Sequence, residues 1–106
     1  ISFSASSVRL QVTVKPNART SIRRLPTLPR VGLRLLLSPS LAQMSWLGCG
    51  PHECYPDRKA SSPWNVHRRR VDDTHFPYMV PGECGGVADV RWLALQDGQG
   101  GGGLLV

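Results

Sequence analysis

From Val8 to Lys15 apolar and polar residues alternate without a break. Val8, Leu10, Val12 and Val14 fall on one side, and Arg9, Gln11, Thr13 and Lys15 on the other. That period of two predicts a strand over about Val8–Val14 with one dry and one wet face. Pro16 removes a ladder donor and Asn17 favours the turn that follows. A fold containing this segment must offer its four aliphatic side chains an apolar surface.

Beyond Thr20 the signals weaken. Pro26 and Pro29 interrupt any period and read as loop. Val31–Leu37 alternates imperfectly and is a candidate partner strand. Ser40 to Leu47 is expected to be a short helix, with Ser40 as N-cap and Leu41, Met44 and Leu47 on one side. No sustained period runs from Gly48 to Gly86, Val87–Leu95 is a candidate strand, and the glycine-rich stretch 98–103 is expected to be a flexible tail. With 106 residues the chain suits one small domain, residues 1–106, or a fragment of one. No apolar run approaches the roughly 20 residues of a membrane span, so no transmembrane helix and no membrane partner are expected.

Charge is unevenly placed. Of the 13 Lys and Arg, seven precede Glu53, the first acidic residue; from Glu53 onward six basic residues face seven acidic ones. The whole net charge of +6 therefore belongs to the N-terminal half. Three explanations stand side by side: a phosphate-binding arm acting by counterion release, an Arg/Ser-rich organelle transit segment, or codon bias without selection. The first makes nucleic acid the expected partner. Its candidate contacts are Arg23 and Arg24 together with the densest basic run, Arg68, Arg69 and Arg70, although no aromatic stacking platform is interleaved with them.

The stretch CGPHEC brings Cys49, His52 and Cys54 within six residues, with His67, His75 and Cys84 further along. Zinc needs four ligands, commonly from paired C-x2-4-C units. Here the spacing is C-x4-C and a second pair is missing, so no metal residue is assigned and no cofactor is expected. No nucleophile is placed beside a base, and no glycine-rich loop joins a strand to a helix. The expectation is a protein that is not an enzyme.

The run Val14-Lys15-Pro16-Asn17-Ala18-Arg19 at the end of the alternating segment resembles the first strand of the YggU-like family of small uncharacterised proteins. The match covers Val8 to Thr20. Members of that family go on to a loop similar to P-P-V-D-G-K-A-N, a K-S pair and a terminal S-R segment, none of which stands in this chain. A shifted reading frame permits A-N-E across Ala42–Ser45, K-S across Arg58–Ala60, a serine followed by arginine across His67–Arg70 and a stop across Val71–Asp73. The resemblance thus implies a chain in its own frame to about Thr20 and out of frame thereafter. It implies a small two-layer α+β fold, of which this chain would keep one strand or hairpin within largely irregular structure, and no assignable activity. The alternatives are a basic, organellar ribosome-like RNA-associated protein that orders on its partner, and a small zinc-binding module on CGPHEC. A YggU-like protein would be cytoplasmic; a processed transit segment would indicate a mitochondrion or plastid.

Overall fold

The computed structural model describes residues 2–3, 7–15, 30–99 and 102–106. Two compact units divide the chain, residues 1–35 and 36–106. In the first, β1 (Ser2–Phe3) pairs antiparallel with β2 (Val8–Arg9), Phe3 opposite Val8. The strand expected over Val8–Val14 is present as Val8–Arg9 alone. Val8, Leu10, Val12 and Val14 are each 43–59% exposed. Pro16 to Thr20, and with them most of the V-K-P-N-A-R run, lie outside the described residues, as do Arg23 and Arg24.

The second unit is a four-stranded antiparallel sheet in the order β4-β3-β5-β6. Its strands are β3 (Gln43–Cys49), β4 (Trp64–Arg70), β5 (Trp92–Gln96) and β6 (Gly103–Leu105). The register sets Trp46 opposite His67 on one side and Leu93 on the other. Val31–Leu37 forms no strand, β5 begins later than the candidate Val87–Leu95, and Gly103 of the glycine-rich stretch opens β6.

Two expectations are corrected here. The regular structure of the described residues is almost entirely β, so the α+β class does not hold: their helical content is the 3-10 turn Asp72–Thr74. Ser40 to Leu47, expected to be a short helix, instead runs into the central strand Gln43–Cys49. The i, i+3 spacing of Leu41, Met44 and Leu47 competed with an alternation in which Met44, Trp46 and Gly48 share a face. Hydrogen-bonding partners on both sides decided it, as tertiary context overrides a weak helical pattern.

The core lies on the Met44/Trp46 face. Trp46 is fully buried with Met44 beside it, and Cys54 is 1% exposed; Cys49, also buried, pairs with Trp64 and so points to the sheet's other face. The indole is covered from β4 by polar side chains used for their flat surfaces. His67 lies against it at 5.2 Å between ring centroids, and the Arg69 guanidinium sits 5.5 Å from the ring centre. Such an arrangement combines area burial with a cation–π attraction. The indole N–H donates to the Cys49 carbonyl at 3.0 Å, which satisfies its one polar atom. Gly50 lets the chain leave β3 directly over this cluster, since a Cβ there would stand 2.7 Å from the Trp46 ring.

Candidate functional site

After Gly50 the chain makes a loop that is pinned at both ends. The Cys54 amide donates to the Gly86 carbonyl at 2.8 Å, and the Cys54 thiol donates to the Cys49 carbonyl at 3.7 Å. The Ala88 amide in turn donates to Cys54 Sγ at 3.1 Å. Tyr55-Pro56-Asp57-Arg58 is a reverse turn, closed by paired backbone bonds between Tyr55 and Arg58 and helped by proline at its second position. The turn directs Arg58 back toward Glu53.

Glu53 is the anchor of this region, with a side chain only 12% exposed. Its carboxylate accepts from the Tyr78 hydroxyl, from Arg58 Nη1 at 3.2 Å and from the Gly85 amide at 2.9 Å. The Tyr78 and Gly85 bonds, joined by the Arg58 charge, hold the carboxyl below the usual glutamate range against the opposing effect of burial. One carboxylate thereby ties together three separate stretches of chain. Gly85 has a positive φ of 71° and lies against the Thr74 carbonyl, so a side chain has no room there.

Asp89 is the second fixed carboxylate. Both its oxygens accept from Lys59 Nζ at 2.9 Å, and Oδ2 also accepts from the Cys49 thiol at 3.5 Å. The Lys59 bond comes first among the causes that lower its pKa. Burial, followed by the neighbouring Asp89, pushes the Cys49 thiol up. A thiol held protonated beside a carboxylate is a poor metal ligand.

Between the loop, β4 and the segment after the 3-10 turn lies a cleft of about 350 Å³. The loop contributes His52, Glu53 and Arg58, and β4 contributes Arg69. The far wall carries Asp73, His75 and the aromatic pair Phe76 and Tyr78, whose ring centroids are 4.5 Å apart. Arg69 donates through Nη1 to the Pro51 carbonyl at 3.1 Å. Its Nε and Nη2 are buried and have no partner.

The residues singled out in the sequence are distributed differently from what their spacing suggested. Arg68 and Arg70 project from the face of β4 opposite Arg69, because a strand alternates sides, so the HRRR run is not one patch. Arg70 also pairs with Asp72 at 3.4 Å. Among the described residues no three His, Cys, Asp or Glu side chains converge as a metal site. Cys49 and Cys54 belong to the core, while Cys84 stands 3.5 Å from His75 Nδ1 in the last third of the chain. Phe76 and Tyr78 carried no period and were not singled out. The Phe76-Pro77-Tyr78 spacing, with proline stiffening the link, is the one signal by which the sequence could have pointed to them.

Residues 2–105, essentially the whole chain in the frame as written, match the family described as beta galactosidase small chain. The chain belongs to that family. It is 36% identical over 81 residues to a beta-galactosidase of Priestia megaterium, and 48% identical over 71 residues to one of Vibrio cholerae. These alignments take in 76% and 67% of the chain, but only 8% and 7% of the relatives' lengths. The small-chain match overturns the YggU-like resemblance, and with it the out-of-frame reading, since a shifted frame would not align from end to end. It also overturns the expectations of a non-enzyme, of an RNA-associated protein and of a zinc module: the small-chain family carries an enzyme's name. The six residues of V-K-P-N-A-R were too short a match to outweigh an alignment spanning 104 positions. Among the described residues no helix is long and apolar enough to cross a membrane.

Proposed function

We propose that this chain works as part of a β-galactosidase, as a β-rich unit of the small chain that supports glycoside hydrolysis without supplying the reacting carboxylates. The observation that carries the reading is the family match from residue 2 to residue 105. The geometry supports the division of labour. Glycoside hydrolysis ordinarily needs a carboxylic acid of raised pKa beside an ionised carboxylate. Glu53 and Asp89 are both pinned by cationic partners and shifted the other way, which suits struts rather than proton donors.

The sheet's second face supports a seat within a longer chain. Trp64, Val66 and Leu105 lie on the side opposite Trp46 and are at least half exposed. β4 and β6 are the two outer strands. Apolar area and open edges of this kind are normally covered. The relatives are more than ten times as long as the segment they share with this chain, which leaves ample polypeptide to cover them. Their bacterial sources favour the cytoplasmic alternative over the organellar one.

The test is a graft. The segment of the Vibrio cholerae beta-galactosidase that aligns with this chain is deleted, then replaced by this chain. Deletion is expected to abolish hydrolysis of a chromogenic β-galactoside and the graft to restore it. A soluble, folded graft without activity contradicts the reading.

A further inference from the structure

We infer that the loop between Tyr78 and Gly85 is a docking loop, whose apolar tip, Met79 and Val80, seats in a pocket of the β-galactosidase polypeptide outside this segment. The inference rests on the reading of the chain as part of a β-galactosidase. Seven consecutive residues, Phe76-Pro77-Tyr78-Met79-Val80-Pro81-Gly82, carry no charge. Within them Met79 is 100% exposed, Val80 81% and Phe76 56%. Single exposed aliphatic side chains are ordinary on a protein surface, whereas a continuous uncharged run held in water marks an interaction site. The exposed aliphatic stretches 8–14 and 31–37 differ, because Arg9 and Arg34 are interleaved with them.

The loop is also held for presentation. At its start the Tyr78 hydroxyl donates to the Glu53 carboxylate, and at its end the Gly85 amide donates to the same group at 2.9 Å. Cys84 Sγ lies 3.5 Å from His75 Nδ1 and Gly85 rests against the Thr74 carbonyl, so the outgoing chain lies beside the incoming one. Pro77 and Pro81 fix φ on either side of the tip. One largely buried carboxylate thus clamps both ends while Met79 and Val80 reach solvent. A clamped loop has little conformational freedom left to lose on docking, which favours association.

Charge and chain length decide the occupant. Asp73 and Glu83, both exposed, stand beyond the two ends of the uncharged run. Two copies meeting tip to tip would set carboxylate against carboxylate, which opposes a dimer built on this loop. A pocket with an apolar floor and a basic rim fits instead. More than nine-tenths of each relative lies outside the aligned segment and is covalently joined to it. A partner tethered in that way is met at an effective concentration that a free second copy does not reach.

The chain has two methionines, Met79 fully exposed and Met44 buried, so oxidation by hydrogen peroxide to the sulfoxide reads the docking directly. In the isolated chain Met79 is expected to react and Met44 to be protected. In the graft described above, Met79 is expected to react slower by about tenfold or more. Val80→Asp is expected to leave the circular dichroism of the isolated chain unchanged and to return the Met79 rate in the graft to that of the isolated chain. Equal Met79 rates in the isolated chain and the graft overturn the inference, as does protection of Met79 in a dimer of the isolated chain. An active graft with Met79 unprotected overturns the docking loop and leaves the family role standing. A soluble, inactive graft with Met79 protected upholds the docking loop and overturns the role.

Discussion

Val8–Val14 and Gln43–Cys49 are both seven residues long, and they reverse what alternation is expected to achieve. The first alternates strictly, yet forms a two-residue strand and leaves its aliphatic side chains half exposed. The second has a weaker pattern, yet forms the central strand of the sheet and buries Trp46 completely. The difference lies in partners. β3 has ladders on both sides, with β4 and β5, and a loop that closes over its indole. β2 is matched against two residues of β1. A period of two shows that a segment can cover an apolar surface; whether it does depends on a second element supplying that surface.

The largest effect should follow from removing the indole that organises the second unit. Trp46→Ala leaves a cavity under His67 and Arg69 and is expected to cost about 3–5 kcal/mol, enough to abolish the cooperative unfolding transition followed by circular dichroism. A retained transition would move the core elsewhere. Gly85→Ala comes next, since it combines a disfavoured positive φ with a clash against the Thr74 carbonyl. The expected loss is about 2 kcal/mol, read as a fall in the denaturant midpoint.

A smaller, pH-dependent effect should attach to Glu53. Its folded-state pKa is lowered from an unfolded value of about 4.3. Its contribution is therefore fully present above that value and lost as pH falls through the lowered one. Thermal midpoints measured from pH 6 to pH 3 should fall less steeply in Glu53→Gln than in the parent chain, and parallel slopes would remove Glu53 as the anchor. The smallest effect belongs to the strand that looks best in the sequence: Val12→Ser is expected to change stability by no more than about 0.5 kcal/mol. A loss comparable to that of Trp46→Ala would show that the alternating face is packed after all.

Legibility followed the same division. Alternation marked the neighbourhood of β2, and the apolar stretch near Val87–Leu95 marked most of β5. β4 was not legible, because its core-facing positions are His67 and Arg69 while Trp64 and Val66 face outward, which inverts the usual pattern. Periodicity counts apolar residues and cannot register an arginine that is buried by stacking. The cleft was legible only in pieces. Arg69 was singled out, but as one of three adjacent arginines on a common patch, whereas a strand divides them between two faces. Cys49, His52 and Cys54 looked like ligands because they are close in sequence. In the fold both thiols serve the core and only His52 reaches the cleft. Glu53, the residue between them, proved to be the structural tie.

The pairing around Trp46 carries the whole account, and backbone NOEs across residues 40–49 test it most directly. Cross-strand contacts from Trp46 to His67 and from Trp46 to Leu93 are predicted, in the register described. Sequential helical contacts at i, i+3 over Ser40 to Leu47, with the Trp46 indole exposed, would contradict it.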